Sequence, residues 1–229
     1  KYCKFSLADN HVCVVNVGGR YFEHFLRMFD TKSSPYALNK RVLCLTDIDP
    51  TRKEKTYKSY SRCYPFEMDV EPDKFDYARN PFVGDGHAFS DVENIFISHQ
   101  DITEGKTFEY DIILHNPNSK WLINRDMRNS ESVRELMECK SFVEARDKFG
   151  NAKWKQDVLT SLDKCDWSDG QKFKALIAAY YLKSVPKGEN ALITSHILAE
   201  NLSKSDNPDE YNEFVVPKYI EEGLSWLLK

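Results

Sequence analysis

The chain has 229 residues, of which 41% are hydrophobic and 30% are charged, a composition typical of a globular protein. It contains no run of about 20 apolar residues, so no membrane-spanning helix is predicted, and its first residues lack the apolar segment of a signal peptide. The formal net charge of −4 excludes a basic surface extending over the whole chain, so any contact with nucleic acid has to be local.

The six cysteines form neither a CxxC pair nor a Cys/His cluster with zinc spacing. Cys13 and Cys44 lie inside apolar runs that are typical of buried strands, where a thiol behaves as a small hydrophobic group. We therefore expect reduced cysteines and a cytoplasmic location.

The first half of the chain is typical of an α/β protein. Residues 11–17 (HVCVVNV) are short and rich in β-branched side chains, which predicts a buried strand. The apolar spacing over 21–29 predicts a helix, and 41–46 (RVLCLT) predicts a second buried strand. Together they predict a βαβ unit with parallel pairing and a right-handed crossover. Residues 50–92, interrupted by proline and glycine, are predicted as loop, and 94–98 (NIFIS) as a third strand.

The second half is typical of a helical protein. A short helix is expected to begin at Thr107, after Gly105, and another follows Ser130, which is expected to cap it. Three further helices are predicted over 173–181, 190–202 and 216–228, the last with Pro217 in its first turn. The predicted divisions are an α/β core (1–128), a helical insertion (129–184) and a C-terminal helical segment that returns to the core (185–229).

Two carboxylates directly follow the second predicted strand, in the segment LTDIDP. Asp47 and Asp49 would lie at the carboxyl edge of a parallel sheet, where ligands bind in open α/β folds. Paired carboxylates repel each other unless a cation lies nearby, and Mg²⁺ prefers a few hard oxygen ligands together with water. The alternative is a strand-end turn with solvated acids that stops at Pro50.

Two other short segments carry polar groups of interest. In GKTFEYD, Thr107 and Glu109 follow the third predicted strand and would reach the same sheet edge, although a helix cap with an acid in the first turn explains them equally well. In VPKGE, a rigid turn would aim the Lys187 ammonium at a phosphate. The alternative is an ordinary loop lysine.

A basic cluster directly follows the two aspartates. It alternates with Tyr57 and Tyr60, and a solvated loop is the simpler interpretation. Its position directly after the acidic motif is what makes a functional role worth considering. The five basic residues are Arg52, Lys53, Lys55, Lys58 and Arg62.

Taken in order, these segments resemble the C-terminal region of the OLD family of ATP-dependent endonucleases. VVNVGGRYFEHFL resembles the family's second strand, glycine turn and helix, and LTDIDP resembles its Toprim DxD motif. GKTFEYDIILHN, KALIAAYYLKSVPKGENAL and FVVPKYIEEGLSWLL resemble later family segments. The match covers nearly the whole chain in order. DxD alone is common, whereas this ordered set is fairly specific.

The resemblance implies a Toprim-like parallel-sheet core and a two-metal DNA endonuclease that uses Mg²⁺ or Mn²⁺. It implies that Asp47, Asp49 and Glu109 hold metal with help from Thr107, and that Lys187 stabilises charge on the scissile phosphate. The basic cluster would touch the DNA backbone.

The resemblance also implies parts that lie outside this sequence. The family's first strand, with a Glu-Gly pair and a further glutamate, would precede residue 1, as would an ABC-type ATPase domain through which ATP acts. A homodimer is implied as well. Without the upstream glutamates, this chain would hold only part of its metal site and would be inactive alone.

Two other functions are compatible with the sequence. One is a DNA-binding or dimerisation module that no longer cuts. The other is a DxD phosphatase of the haloacid-dehalogenase type, with Asp47 as nucleophile and Asp49 as acid/base.

Overall fold

The computed structural model of the protein describes residues 2–3, 6–19, 21–185 and 187–229, and for Lys187 and Glu189 it describes the backbone without the side chain. The strands in this part are β1 (Val42–Thr46), β2 (Thr51–Glu54), β3 (Ser61–Arg62), β4 (Phe75–Ala78) and β5 (Ile95–His99). The helices are α1 (Glu23–Arg27), α2 (Phe108–His115), α3 (Ser130–Met137), α4 (Phe142–Phe149), α5 (Lys153–Lys164), α6 (Asp169–Ser184), α7 (Lys187–Ser203) and α8 (Lys218–Leu227). The protein is therefore mixed α/β, as predicted. None of the helices described is long and apolar enough to cross a membrane.

Two of the three predicted strands pair in parallel. β1 and β5 lie in register from Val42 opposite Ile95 to Thr46 opposite His99, which confirms the strands predicted over 41–46 and 94–98. A parallel pair needs a long crossover, and here the crossover contains β2, β3 and β4. Because both strands run the same way, the residues that follow them meet at one edge.

The strand predicted over 11–17 is wrong. Residues 12–17 carry no strand assignment, and Val14 and Val15 are 80% and 73% exposed. Cys13, predicted to be buried, is exposed. β-propensity describes how well a residue fits a half-buried pleated surface, and within the described chain this segment has no partner strand to provide one. The predicted βαβ unit is accordingly not formed.

Residues 50–92, predicted as loop, contain a small antiparallel sheet with the order β3-β2-β4. Thr51 of β2 lies opposite Arg62 of β3 and Ala78 of β4. The prolines and glycines that suggested a loop all lie between the strands, not within them. The prediction was wrong because the strands are two to four residues long, too short for an alternating pattern to stand out.

Most predicted helices are confirmed, and two were missed. α2, α3, α6, α7 and α8 lie within a few residues of their predicted positions, and α1 is shorter than predicted. Ser130 does not cap α3, because the N-cap is Asn129 in a left-handed conformation and the Ser130 hydroxyl donates to the Arg125 carbonyl. α4 and α5 were missed because polar and charged residues outnumber or equal the apolar ones in both sequences and obscure the apolar spacing.

The buried apolar side chains form two clusters. The larger runs from Phe66 and α2 through α3, α4 and α5 to α6, with α2 packed on α6. The smaller joins Phe22 and Leu26 to Ile95 and Ile97 of β5. The larger cluster contains residues on both sides of the predicted boundary near residue 128, and the division into 1–128, 129–184 and 185–229 stays a prediction.

α8 packs directly on the parallel pair. The Ser98 hydroxyl of β5 donates to the Tyr219 carbonyl at 2.7 Å. At Gly223, an added Cβ would lie 2.8 Å and 3.1 Å from the two methyl carbons of Leu43 and 3.4 Å from Ser98 Cβ. The helix therefore approaches the strands as closely as it does only because residue 223 has no side chain.

We predict that Gly223→Val destabilises the protein by roughly 1–3 kcal/mol, because its methyl groups have to displace Leu43 in a packed interface. Urea unfolding followed by circular dichroism measures the change. Gly170→Ala is the matched control, since nothing lies within 4 Å of an added Cβ there and alanine favours a helix over glycine by up to about 1 kcal/mol. Equal stability of the two variants would contradict the close packing of α8.

Candidate functional site

Asp47 is the first residue after β1, and one of its carboxylate oxygens is held by two donors. Asp47 Oδ1 accepts a hydrogen bond from Gln100 Nε2 at 2.8 Å and from the Phe108 backbone N–H at 2.9 Å. The donors lie at the end of β5 and in the first turn of α2. No hydrogen bond from the described residues reaches Oδ2. The two hydrogen bonds to Oδ1 thus orient the carboxylate, and Oδ2 has no hydrogen-bond donor among the described residues.

Gln100 fixes this arrangement from inside the protein. Its side chain is 1% exposed, and its Oε1 accepts from the Ile48 backbone N–H at 2.9 Å. Because that N–H can only donate, the Gln100 amide has to turn Nε2 towards Asp47 and Tyr219 Oη, the latter at 3.4 Å. Sequence analysis missed Gln100. The available signal was its place directly after the third predicted strand, as Asp47 follows the second.

The loop that carries both aspartates is held by backbone contacts. Asp49 has a left-handed conformation with φ of 47°, uncommon for a residue with a side chain but tolerated by aspartate. Its N–H donates to the Lys106 carbonyl at 3.1 Å, and the Asn80 N–H donates to the Ile48 carbonyl at 2.9 Å. The Asn80 amide also donates to Thr46 Oγ1 and to the Asp47 carbonyl. Hydrogen bonds with Lys106 and with Asn80 therefore fix the conformation of the loop.

Three carboxylates share this edge. Burial raises the pKa of Asp47, the hydrogen bond from Gln100 opposes that rise, and the negative charges of Asp49 and Glu109 add to it. Glu109 lies in the first turn of α2. The structure thus brings Asp47, Asp49 and Glu109 together, although they come from two separate segments.

Thr107, the N-cap residue of α2, carries a buried hydroxyl. It is 5% exposed, and its Oγ1 makes no hydrogen bond with the described residues and does not cap the helix. Leaving a buried hydroxyl unsatisfied costs about 1–3 kcal/mol. Tyr110 Oη and Asp111 Oδ1, in the next part of the helix, also lack partners.

Lys106 places a buried positive charge beside the acidic loop. Its side chain is buried, its Nζ donates to the Cys63 carbonyl, and it lies 4.9 Å from the centre of the Tyr64 ring. Burial lowers the pKa of Lys106, and the neighbouring Cys63 and Asp49 oppose that effect. Sequence analysis did not single out this residue, although it directly precedes Thr107. The positive charge of Lys106 partly compensates the negative charge of Asp49.

The donors at this edge fit a hard divalent cation. They are carboxylate oxygens and a hydroxyl, which suit Mg²⁺ or Mn²⁺ better than softer metals, and the Thr107 hydroxyl needs a partner. Among the described residues, no group of three or more His, Cys, Asp or Glu side chains is arranged to hold a metal ion on its own. Mg²⁺ usually keeps several waters and takes only one or two carboxylates from the protein. A cation at this edge would therefore be held mainly by water and a few protein ligands.

The remaining predicted site residues are Lys187 and the five basic residues that follow the acidic loop. The Lys187 side chain is outside the described part of the structure, and its backbone begins α7. Arg52 and Lys53 lie on β2 and Arg62 on β3, with Lys55 and Lys58 between them. We call this hairpin, residues 51–62, the basic arm.

Comparisons with protein-family models, with curated proteins and with solved structures find no match for this chain. What the acidic edge does is therefore inferred from its geometry and from the sequence resemblance.

We predict that Asp47→Asn stabilises the protein by roughly 0.5–2 kcal/mol at neutral pH in EDTA, the usual range for a single stabilising substitution. The folded-state pKa of Asp47 is raised, so the native state loses stability as the pH rises through that pKa. Asparagine removes this penalty and still accepts from Gln100 and Phe108. The gain should disappear in acid, where Asp47 is protonated in both states.

Urea unfolding at several pH values measures the effect. Asp206→Asn, which removes an exposed acid after α7, controls for the loss of one negative charge. A loss of stability in Asp47→Asn at neutral pH would contradict the crowding of carboxylates at this edge.

Proposed function

We propose that this chain is the Toprim-like nuclease part of an OLD-family ATP-dependent endonuclease, and that it cleaves DNA with Mg²⁺ or Mn²⁺. The observation that carries the proposal is the convergence of Asp47, Asp49 and Glu109 at the start of α2, whose N-cap residue is Thr107. These are the residues that the family resemblance selects as metal ligands, and they meet although about 60 residues separate the two segments.

Each of these groups has a role in the proposed reaction. Asp47 Oδ2, Asp49 and Glu109 would hold the metal, with Thr107 assisting. When bound, divalent ions lower the pKa of water and stabilise the charge on a leaving oxygen. Gln100 keeps Asp47 oriented while remaining neutral, so it adds no charge that would compete with the metal.

Further parts of the proposal rest on the resemblance alone. They are a Glu-Gly motif upstream of residue 1 that completes the metal site, an ABC-type ATPase domain through which ATP acts, and a homodimer. The same resemblance makes Lys187 the residue that stabilises charge on the scissile phosphate.

We predict that a longer protein carrying the upstream glutamates nicks supercoiled plasmid with Mg²⁺ or Mn²⁺, and that Asp47→Ala lowers the rate at least about 100-fold, the scale of losing one group that stabilises transition-state charge. Gel electrophoresis of plasmid nicking measures the rate for the long protein, for this chain and for the variant. Asp206→Ala is the matched control, and circular dichroism checks folding.

Full activity of Asp47→Ala would reject the site. Absence of cleavage by every folded form, with DNA binding retained, would favour a DNA-binding or dimerisation module. Trapping of a covalent phosphate mimic such as beryllofluoride on Asp47 would favour a phosphatase.

We predict that Lys187→Ala slows cleavage more than it weakens DNA binding, because a group that contacts developing charge acts mainly in the transition state. Cleavage under single-turnover conditions and anisotropy of labelled DNA in EDTA separate the two effects. Lys183→Ala, at the end of α6, is the control. An unchanged cleavage rate would show that Lys187 has no role in the reaction.

A further inference from the structure

The basic arm has a charge opposite to that of the whole chain. It contains five basic residues and one acid, Glu54, so its net charge is +4, whereas the chain carries −4. A local basic surface on an acidic protein restricts contact with a polyanion to one place.

The arm is fixed to the acidic loop at its base. The Cys63 N–H, just after β3, donates to the Pro50 carbonyl at 3.0 Å. Within the arm, Arg52 contacts Glu67 at 3.0 Å and lies 4.7 Å from the centre of the Phe75 ring. Tyr57 is eight residues from Asp49, so it lies within roughly 29 Å of it even if the chain is fully extended. The arm therefore holds its position relative to the carboxylates.

Only part of the basic charge is used within the protein. Arg52 pairs with Glu67, and Lys53 pairs with Asp76 of β4 at 3.1 Å. Among the described residues, Lys55, Lys58 and Arg62 have no ion pair. β3, which carries Arg62, is the edge strand on the side of β2 away from β4. Three cations are thus left for an external anion.

Two exposed tyrosines lie among these cations. Tyr57 is 63% exposed and Tyr60 is 49% exposed, and Lys53 Nζ lies 5.3 Å from the centre of the Tyr60 ring. Aromatic rings next to basic side chains bind single-stranded nucleic acid, because unpaired bases expose faces that stack on the rings while the cations contact phosphates. In a duplex those faces are already covered by neighbouring bases. The tyrosines can therefore stack on the bases of a single strand but not on those of a duplex.

We propose that the basic arm binds an unpaired DNA strand, with Tyr57 and Tyr60 stacking on bases and Lys55, Lys58 and Arg62 contacting phosphates. The substrate of the acidic edge is then DNA with a single-stranded segment, such as an overhang, gap or frayed end. This inference rests on the proposed function for the identity of the ligand as DNA. It goes beyond it in naming the DNA structure and the tyrosines that select it.

The test measures binding of fluorescein-labelled oligothymidylate and of a blunt duplex by anisotropy in EDTA, where cleavage does not occur. Replacing Tyr57 and Tyr60 by Leu keeps apolar bulk and should weaken single-strand binding about tenfold or more, with little effect on the duplex. Replacing Lys55, Lys58 and Arg62 by Ala should reduce the slope of log K against log salt by about 2 on the single strand.

Matched variants serve as controls. Tyr36→Leu removes a tyrosine that is 93% exposed outside the arm, and the triple replacement of Lys140, Lys153 and Lys174 by Ala removes three exposed cations. Neither should change single-strand binding. Thermal unfolding followed by circular dichroism confirms that every variant is folded.

The outcomes separate this inference from the nuclease proposal. Single-strand binding that depends on the tyrosines supports the inference even if no form of the protein cuts DNA. Cleavage that depends on Asp47, together with unchanged single-strand binding in the tyrosine variant, overturns the inference and leaves the nuclease. Equal losses on single strand and duplex also overturn it, because stacking would then play no part.

Discussion

The buried amide of Gln100 connects the parts from which the candidate site is built. One end accepts from Ile48 in the loop after β1, and the other donates to the Asp47 carboxylate and lies near the Tyr219 hydroxyl of α8. These contacts are available because β1 and β5 are parallel and end in register, so residues 47 and 100 emerge side by side. The N-terminal end of α2 completes the arrangement through the Phe108 N–H. The ends of β1 and β5 and the helices α2 and α8 are thereby connected, directly or through Gln100, to the Asp47 carboxylate.

The same place carries a stability cost. Three acids from two segments lie close together, burial and neighbouring charge raise the pKa of Asp47, and the buried Thr107 hydroxyl has no hydrogen-bond partner among the described residues. Buried Lys106 lies close enough to Asp49 for their charges to interact. A fold selected for stability alone would place a neutral residue at position 47.

Several features followed from the sequence because they depend on local patterns. The apolar runs at 41–46 and 94–98 predicted two strands, and the spacing of apolar residues predicted the helices α2, α3, α6, α7 and α8. The acidic pair after β1 and the Thr107–Glu109 pair at the start of α2 were correctly expected at one edge, because parallel strands end on the same side. The antiparallel sheet was missed, since its strands are held by pairing and not by apolar alternation. The strand over 11–17 was wrong because a suitable composition does not form a strand without a neighbour in the described chain.

By itself the sequence determined where the acids stand along the chain, which segments are apolar and where positive charge is concentrated, since these are properties of composition and spacing. Only the tertiary structure decided that Gln100 and Lys106 accompany the aspartates, because both contacts join residues far apart in sequence. It also decided that Arg52 and Lys53 are paired within the protein while Lys55, Lys58 and Arg62 have no ion pair among the described residues. The physical reason is that hydrogen bonds and ion pairs depend on distances of a few ångströms, and the folding of the whole chain sets those distances.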